Sequence, residues 1–351
     1  MYMPFWINLA VSIISLIIAG MSGFFLVPFL HKLKFGQPIK TKDGPQWHAK
    51  KQGTPTMGGF MFIISTVAAA LGGYCLYRWR CGIDATDKAN IDTFFRFLTC
   101  IIFAVLFGLI GFIDDYLKVA RKNNDGLSAK QKMIMQFVFS VGFLFAMYQF
   151  GDTSTVIDFG FFSFDPGFFY YIIMIPVIIY LTNAVNLTDG VDGLCGSVTF
   201  IAMLVYTVAC SILKENEMSI FTIALAGGCL GFLIWNFNPA KCFMGDTGSM
   251  FLGASVTAVG LALHQHLLLL LAAIVYIFEA LSVVIQVTYF KYTAKKHFKA
   301  TGEAHKGKRI FKMTPIHHHF EMSGFSEYKI VITFSLTGMI FGILGILTLF
   351  V

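Results

Sequence analysis

Ten apolar runs, each close to the length that crosses a bilayer, leave this chain few folds to adopt. Hydrocarbon offers a backbone no hydrogen-bond partners, so about 20 apolar residues inside lipid must satisfy their own amides and carbonyls as an α-helix. The runs begin with Phe5 to Leu30 and continue near 57–77, 94–113, 131–149, 169–184, 194–212, 219–235, 248–263, 267–290 and 329–350. Apolar residues make up 56% of the chain and charged ones only 13%, which excludes a soluble globular class. The expectation is a single all-α polytopic membrane domain over residues 1–351, with lipid as its main solvent. The first run has no basic residue ahead of it and exceeds the length of a signal peptide, so it reads as an uncleaved span. Glycine is frequent near 94–113, 248–263 and 329–350, where it suits close helix packing in lipid.

Loop charges set the expected orientation. One set of loops carries Lys32, Lys34, Lys40, Lys42, Lys50 and Lys51, then Lys118, Arg121, Lys122 and Lys130, then Lys241, then the cluster from Lys291 to Lys312. The alternate set carries only Arg78, Arg80, Lys88 and Lys214. Basic residues are retained in the cytoplasm, so both termini are expected outside. The loops 31–56, 114–130, 185–193, 236–247 and 291–328 are then cytoplasmic. The outer loop 150–168 has Asp152, Asp158 and Asp165 but no Lys or Arg, and its Thr155-Val-Ile-Asp-Phe-Gly-Phe-Phe-Ser-Phe164 run suits a small β-hairpin. The net charge of +7 then makes a basic inner surface, attractive to anionic lipid and anionic cytosolic substrates. The seven cysteines are scattered, without a CxxC pair, and read as small core residues. A Cys75–Cys81 bridge is the alternative, should both face an oxidising side.

Acidic residues collect on that inner side. The fifth run ends in Asn183-Ala-Val-Asn186-Leu-Thr-Asp189-Gly-Val-Asp192-Gly-Leu194; its plain alternative is a solvated turn, since Asp-Gly pairs form turns readily. Asp114 and Asp115 close the third run at a helix C-terminus, where the macrodipole disfavours anions by a few tenths to about 1 kcal/mol. Neighbouring carboxylates also repel, and the ordinary remedies are a cation or a proton. Asp246, in Phe243-Met-Gly-Asp-Thr-Gly-Ser249, suits the N-cap of the eighth helix as well as a ligand role, and a helix start also offers free amides to phosphate. Few His or Cys lie near these acids, so Mg²⁺ is the expected metal, and carboxylates, Mg²⁺ and a basic rim together point to diphosphate chemistry.

Two loops add to this. Lys50-Lys51-Gln-Gly-Thr-Pro-Thr56-Met-Gly-Gly59 brings lysines and glycines able to approach phosphate, with an ordinary Gly-Thr-Pro turn as the alternative. Thr314-Pro-Ile-His317-His318-His319-Phe320-Glu321 holds three consecutive histidines, which cannot all reach one metal from a regular helix. They read as donors to phosphate or sugar hydroxyls, with a solvated basic loop as the alternative.

The segments Gly53–Gly59, Asp114–Lys118, Asn183–Leu194, Phe243–Ser249 and Pro315–Glu321 resemble, in order, the motifs of the polyprenyl-phosphate N-acetylhexosamine-1-phosphate transferases. The Pro-Ile-His-His-His-Phe-Glu string resembles their phospho-N-acetylmuramoyl-pentapeptide transferase branch. Departures are small: Val191 and Cys195 where leucine and alanine are usual, and Cys242 before Phe243. Segment 78–93 matches nothing in the family pattern.

The resemblance implies transfer of phospho-MurNAc-pentapeptide from UDP-MurNAc-pentapeptide to undecaprenyl phosphate with Mg²⁺, giving lipid I and UMP, in the bacterial cytoplasmic membrane. It implies Asp246 as the magnesium ligand and Asp114 as the carboxylate acting on the lipid phosphate, with Asp115 beside it. Lys51, Asp192, Asn236 and Phe243 resemble the uridine-binding group, and Thr56, Asn186, Asp189 and Gly245 its neighbours along the nucleotide. His317, His318 and Gln286 resemble the sugar and diphosphate side, with His319 among the substrate-binding residues, while Lys118 and Lys130 flank the cleft. A homodimer is implied, and no nucleic-acid polymer is expected as a partner. A GlcNAc-1-phosphate transferase would share the acidic motifs, and the histidine string argues against it. A secondary transporter is the non-enzyme rival, disfavoured by acids at one face and by the lack of an evident internal repeat.

Overall fold

The computed structural model describes residues 4–33, 51, 53–121, 125–301 and 307–350. Its helices are α1 (Phe5–Lys32), α2 (Phe60–Cys81), α3 (Lys88–Ala120), α4 (Ala129–Gln149), α5 (Phe169–Thr188), α6 (Leu194–Leu213), α7 (Asn216–Asn236), α8 (Gly245–Ala262), α9 (His266–Ala272), α10 (Ile274–Thr301), α11 (Ile316–Glu321) and α12 (Glu327–Leu347). Among the described residues nine of these are long and apolar enough to cross a membrane: α1 to α7, α10 and α12. The protein is an all-α polytopic membrane protein, as its apolar runs require.

The remaining expected span, 248–263, is α8, which differs in kind. It is buried continuously from Thr247 to Ala262 and packs against α2, α3, α5 and α6, so it is the central post of the bundle and has little contact with lipid. The outer helices invert the soluble pattern: on α1, Phe5, Leu9, Ile13, Ile17, Met21 and Phe24 are exposed, because their solvent is hydrocarbon. With no water to expel, helices in lipid associate by close packing and by internal hydrogen bonds. Phe62 accordingly packs on both Phe232 and Phe251, and the Trp235 indole N–H donates to the Gly20 carbonyl at 2.9 Å, tying α7 to α1.

Local signals set several helix starts. The Asp87 carboxylate accepts from the Ala89 amide at 3.2 Å, Ser128 and Gln131 form a capping box, and Ser326 accepts from the Lys329 amide at 3.3 Å. Thus the unmatched segment 78–93 is the end of α2, a short link and the capped start of α3. The expected hairpin is present as β1 (Ile157–Asp158) and β2 (Ser163–Phe164), antiparallel, pairing Ile157 with Phe164 and Asp158 with Ser163.

Three expectations on boundaries are corrected. The run 267–290 is two helices broken at Ala273, and α10 continues to Thr301, so the loop expected from 291 begins as helix. Asp114, Asp115 and Lys118 lie inside α3 and not in a loop, because an Asp114–Lys118 ion pair at i,i+4 carries the helix past its apolar run. All seven cysteines are free, Cys75 and Cys81 included. Residues 34–50, with Lys50, and residues 302–306 lie outside the described residues.

Candidate active site

A short backbone pairing assembles the site. The Phe243 amide donates to the Pro55 carbonyl at 2.8 Å, the Gly58 amide to Phe243 at 2.8 Å and the Gly59 amide to Met244 at 3.0 Å. This pairing lays the Gly53–Gly59 loop along the lead-in to α8. Gly245 has φ +71°, and a Cβ there would stand 2.4 Å from Asp115 Oδ2 and 2.6 Å from Thr56 Oγ1. Only glycine lets these three motifs close on one another. At Gly111 a Cβ would come within 2.0 Å of the Asp246 carbonyl oxygen, so α3 lies directly on the first turn of α8. That contact places Asp114 and Asp115 across from Asp246.

One carboxylate oxygen from each of Asp114, Asp115 and Asp246 lies within 4.8 Å of the other two. Asp115 Oδ2 accepts from the Thr247 amide at 2.9 Å and hydroxyl at 2.8 Å, and Asp114 Oδ1 accepts from the Leu127 amide at 2.7 Å. Asp246 Oδ1 accepts from Asn186 Nδ2 at 3.1 Å; the same amide donates to Ser249 Oγ at 2.8 Å. Two ammonium groups stand against the three acids. Lys118 Nζ lies 2.6 Å from Asp114 Oδ2 and 3.1 Å from Asp246 Oδ2, and Lys132 Nζ lies 3.3 Å and 2.7 Å from the same two atoms. Asp246 does not cap α8: the N-cap is Met244, and the Asp246 side chain turns into the acidic cluster. Three converging hard oxygens without His or Cys are a donor set that suits Mg²⁺.

A second network adjoins the first. Lys51 Nζ lies 2.7 Å from Asp192 Oδ1 and 2.8 Å from Glu327 Oε2, which also accepts from the Asp192 amide at 3.0 Å. Asp192 Oδ2 accepts from the Ala240 amide at 2.9 Å and from Asn238 Nδ2 at 3.2 Å. Buried Asn236 accepts from the Gly193 amide at 3.1 Å and donates to the Cys242 carbonyl at 2.9 Å, locking the end of α7 to the start of α6. Phe243 is half-buried beside them. Between the two networks lies Asp189, where burial pushes the carboxyl up to about 8 and the like charges of Asp246, Asp115 and Asp192 act in the same direction.

The histidines take three different partners, although the His317 and His318 rings pack edge to face with centroids 4.1 Å apart. His317 Nδ1 lies 3.0 Å from Glu279 Oε2, His318 Nδ1 lies 2.6 Å from Glu321 Oε2, and His319 Nδ1 accepts from the Lys312 amide at 3.2 Å. Gln286 holds the approach to α11: its Oε1 accepts from the Ile310 and Phe311 amides at 2.9 and 3.0 Å, and its Nε2 donates to the Phe311 carbonyl at 2.9 Å. A Cβ on Gly190 would stand 2.3 Å from His317 Nε2, so α11 reaches the Asp189–Asp192 turn.

Most residues singled out in the sequence therefore fall in these adjoining networks. Lys130 does not: it is exposed, and Lys132 occupies the acidic cluster. Residues two apart on a helix point to nearly opposite sides, and nothing in the loop charges distinguished them. Glu327 and Glu279 were also missed. The first looks like an ordinary helix-start acid; the second is a lone carboxylate inside an apolar run, which was a usable signal.

Comparison with known proteins agrees with this geometry. Residues 97–264 match the family model described as glycosyl transferase family 4. The phospho-N-acetylmuramoyl-pentapeptide-transferase of Listeria innocua serovar 6a is 43% identical over 322 residues, 91% of each chain. Its namesake from Shouchella clausii is 40% identical over 342 residues, 97% of each chain. That from Clostridium botulinum is 42% identical over 328 residues, 93% of this chain and 92% of its own. Identity at this level over more than nine tenths of the chain shows that it belongs to the phospho-N-acetylmuramoyl-pentapeptide transferase family of membrane enzymes.

Proposed function

We propose that the protein transfers phospho-MurNAc-pentapeptide from UDP-MurNAc-pentapeptide to undecaprenyl phosphate, releasing UMP and forming lipid I, the first membrane step of peptidoglycan synthesis. The observation that carries the reading is the meeting of Asp114, Asp115 and Asp246 with Lys118 and Lys132 at one end of the bundle. In the reaction a lipid phosphate oxygen bonds to the β-phosphorus, and the bond from that phosphorus to the bridging oxygen breaks. Its electron pair leaves with UMP. Asp246 would hold Mg²⁺ with Asp114 and Asp115 in reach, and the ion when bound neutralises diphosphate charge. Lys118 and Lys132, paired with the acids in the free protein, are placed to turn onto phosphate oxygens. Lys51, Asp192, Asn236 and Phe243 line the nucleotide half, and His317 and His318 the sugar side.

The distribution of loop lysines supports an active site on the cytoplasmic face of the bacterial inner membrane, with both termini outside. Family membership supports a homodimer.

The test uses purified protein with UDP-MurNAc-pentapeptide, undecaprenyl phosphate and Mg²⁺, following UMP and the lipid product. Equal release of both, abolished by EDTA and absent with UDP-GlcNAc, is expected. Transfer from UDP-GlcNAc at a comparable rate, or no UMP at all, would overturn the assignment.

A further inference from the structure

Glu279 is fully buried within the apolar length of α10, on the side away from Phe278, Leu281, Val284 and Ile285, which face lipid. A carboxylate inside a membrane helix is costly, and such a residue ordinarily serves a site together with a named partner. Its partner is His317. Glu279 Oε2 lies 3.0 Å from His317 Nδ1 and 3.5 Å from the His317 backbone nitrogen, so one oxygen fixes both the ring and its root. The imidazole is itself buried, at 1% exposure. Two buried atoms of the pair have no hydrogen-bond partner, Glu279 Oε1 and His317 Nε2. The second lies against Gly190, in the turn that joins Asp189 to Asp192. A pair serving only to hold helices together would satisfy its own atoms; this one leaves a buried ring nitrogen without a partner against the Asp189–Asp192 turn.

We propose that Glu279 is a positioning residue for His317: by holding Nδ1 it sets the ring so that Nε2 faces the donor substrate's sugar diphosphate beside Gly190. This rests on the transferase reading given above. Which ring nitrogen is free is decided by the bond the other makes, so the carboxylate selects the atom that His317 offers. Gly190 is part of the arrangement, since any side chain there would occupy the space of the Nε2 atom.

The test is a double-mutant cycle on lipid I synthesis. Glu279→Gln is expected to lower kcat by about 10- to 100-fold, as loss of an orienting partner does, with KM for the polyprenyl phosphate unchanged. In a His317→Ala background the same substitution should change kcat by less than about twofold, because its effect has already been removed. An undiminished effect in that background overturns the proposal. A second readout does not depend on turnover. In protein labelled with ¹⁵N-histidine, the His317 ring signals, assigned by their loss in His317→Ala, should show a proton on Nδ1 and should move in Glu279→Gln. Unmoved signals overturn the proposal as well. If the wild type transfers nothing from UDP-MurNAc-pentapeptide, the proposed function fails, while the nitrogen spectra still decide the pairing. Should Glu279→Gln give no folded protein, Glu279→Asp, which keeps the charge but shortens the reach, is expected to show the same two effects.

Discussion

Lys132 of α4 places its ammonium 2.7 Å from Asp246 Oδ2 at the start of α8, and 3.3 Å from Asp114 Oδ2 of α3. Three helices thus share one cation. Charge-assisted hydrogen bonds contribute about 1.5–3 kcal/mol, and under the proposed reaction this ammonium and that of Lys118 would be the counter-charges offered to phosphate beside the acids. Lys132→Met keeps the length and the helix propensity and removes the charge. We expect kcat/KM for the UDP-sugar to fall by about 10- to 100-fold, the kinetic equivalent of that loss. Lys130→Met, two residues away and exposed, should stay within about twofold. Equal losses at both positions would show that the basic surface acts as a whole and not through this contact.

Asp246→Asn separates metal binding from helix capping. The side chain does not cap α8, but the neutral amide gives up the ion pairs with Lys118 and Lys132, so the protein should still fold with a thermal midpoint lowered by the several degrees that a loss of about 1.5–3 kcal/mol brings. Turnover should fall more than about 100-fold, and the Mg²⁺ concentration giving half-maximal activity should rise, because the neutral amide cannot hold the ion against substrate phosphate. Wild-type turnover at ordinary Mg²⁺ would remove Asp246 from the ligand set.

The Gly111 contact is one of backbone on backbone, since a Cβ there would meet the Asp246 carbonyl oxygen at 2.0 Å. No side-chain movement relieves that clash. Gly111→Ala should therefore cost at least the roughly 1–3 kcal/mol of an overpacked core, seen as a lower thermal midpoint, and should part Asp246 from Asp114 with loss of activity. Gly72→Ala, where nothing lies within 4 Å of the added methyl, is the control and should be neutral. A Gly111→Ala protein with wild-type stability and turnover would mean that α3 and α8 can separate without disturbing the cluster.

How much of this was legible in the sequence depended on the range of the forces involved. Nine of the ten expected spans correspond to helices long and apolar enough to cross a membrane, because lipid imposes one solution on each apolar run; the run 248–263 reads the same way in sequence, and its burial on every side comes from neighbours that hydropathy does not report. The inclusion of Asp246, Asp114 and Asp115 in one cluster followed from their falling at the same end of successive spans. The break at Ala273 carries no glycine or proline and left no local trace. Lys132 and Glu327 become site residues only through tertiary contacts to Asp246 and Lys51, and a periodic pattern cannot report those. Where α3 ends was misjudged because hydropathy stops at the acids while their ion pair with Lys118 carries the helix on.

Asp189 offers a test by pH. An ordinary Asp titrates near about 3.9, and burial with three like charges nearby raises this one to about 8. Across the interval between those values the folded state holds a proton that the unfolded chain has lost. Stability from this group is then full below the unfolded value, declines as pH rises through the window, and is constant above the folded one. Asp189→Asn keeps the neutral form at every pH. In EDTA, the thermal midpoint of Asp189→Asn relative to wild type should climb from about pH 5 to about pH 8 and level off beyond. A difference that stays flat across this range would show that Asp189 is ionised throughout.

In the proposed chemical step Asp114 either attacks the β-phosphorus to form an acyl phosphate or assists direct attack by the lipid phosphate. Its carboxylate is 2% exposed and both oxygens are engaged, Oδ1 with the Leu127 amide and Oδ2 with Lys118 and Lys132. A carboxylate stabilised in this way is a weakened nucleophile, because each of those contacts must loosen before its electrons reach phosphorus. The lipid phosphate is already anionic, and orientation with charge neutralisation by the lysines and the ion can supply most of the rate. Direct attack is therefore expected. Stoichiometric enzyme mixed with UDP-MurNAc-pentapeptide and Mg²⁺, strictly without polyprenyl phosphate, should release no UMP beyond slow hydrolysis. A burst approaching about one UMP per active site, lost in Asp114→Asn, would establish the covalent route, since only an enzyme-bound intermediate frees UMP before an acceptor is present.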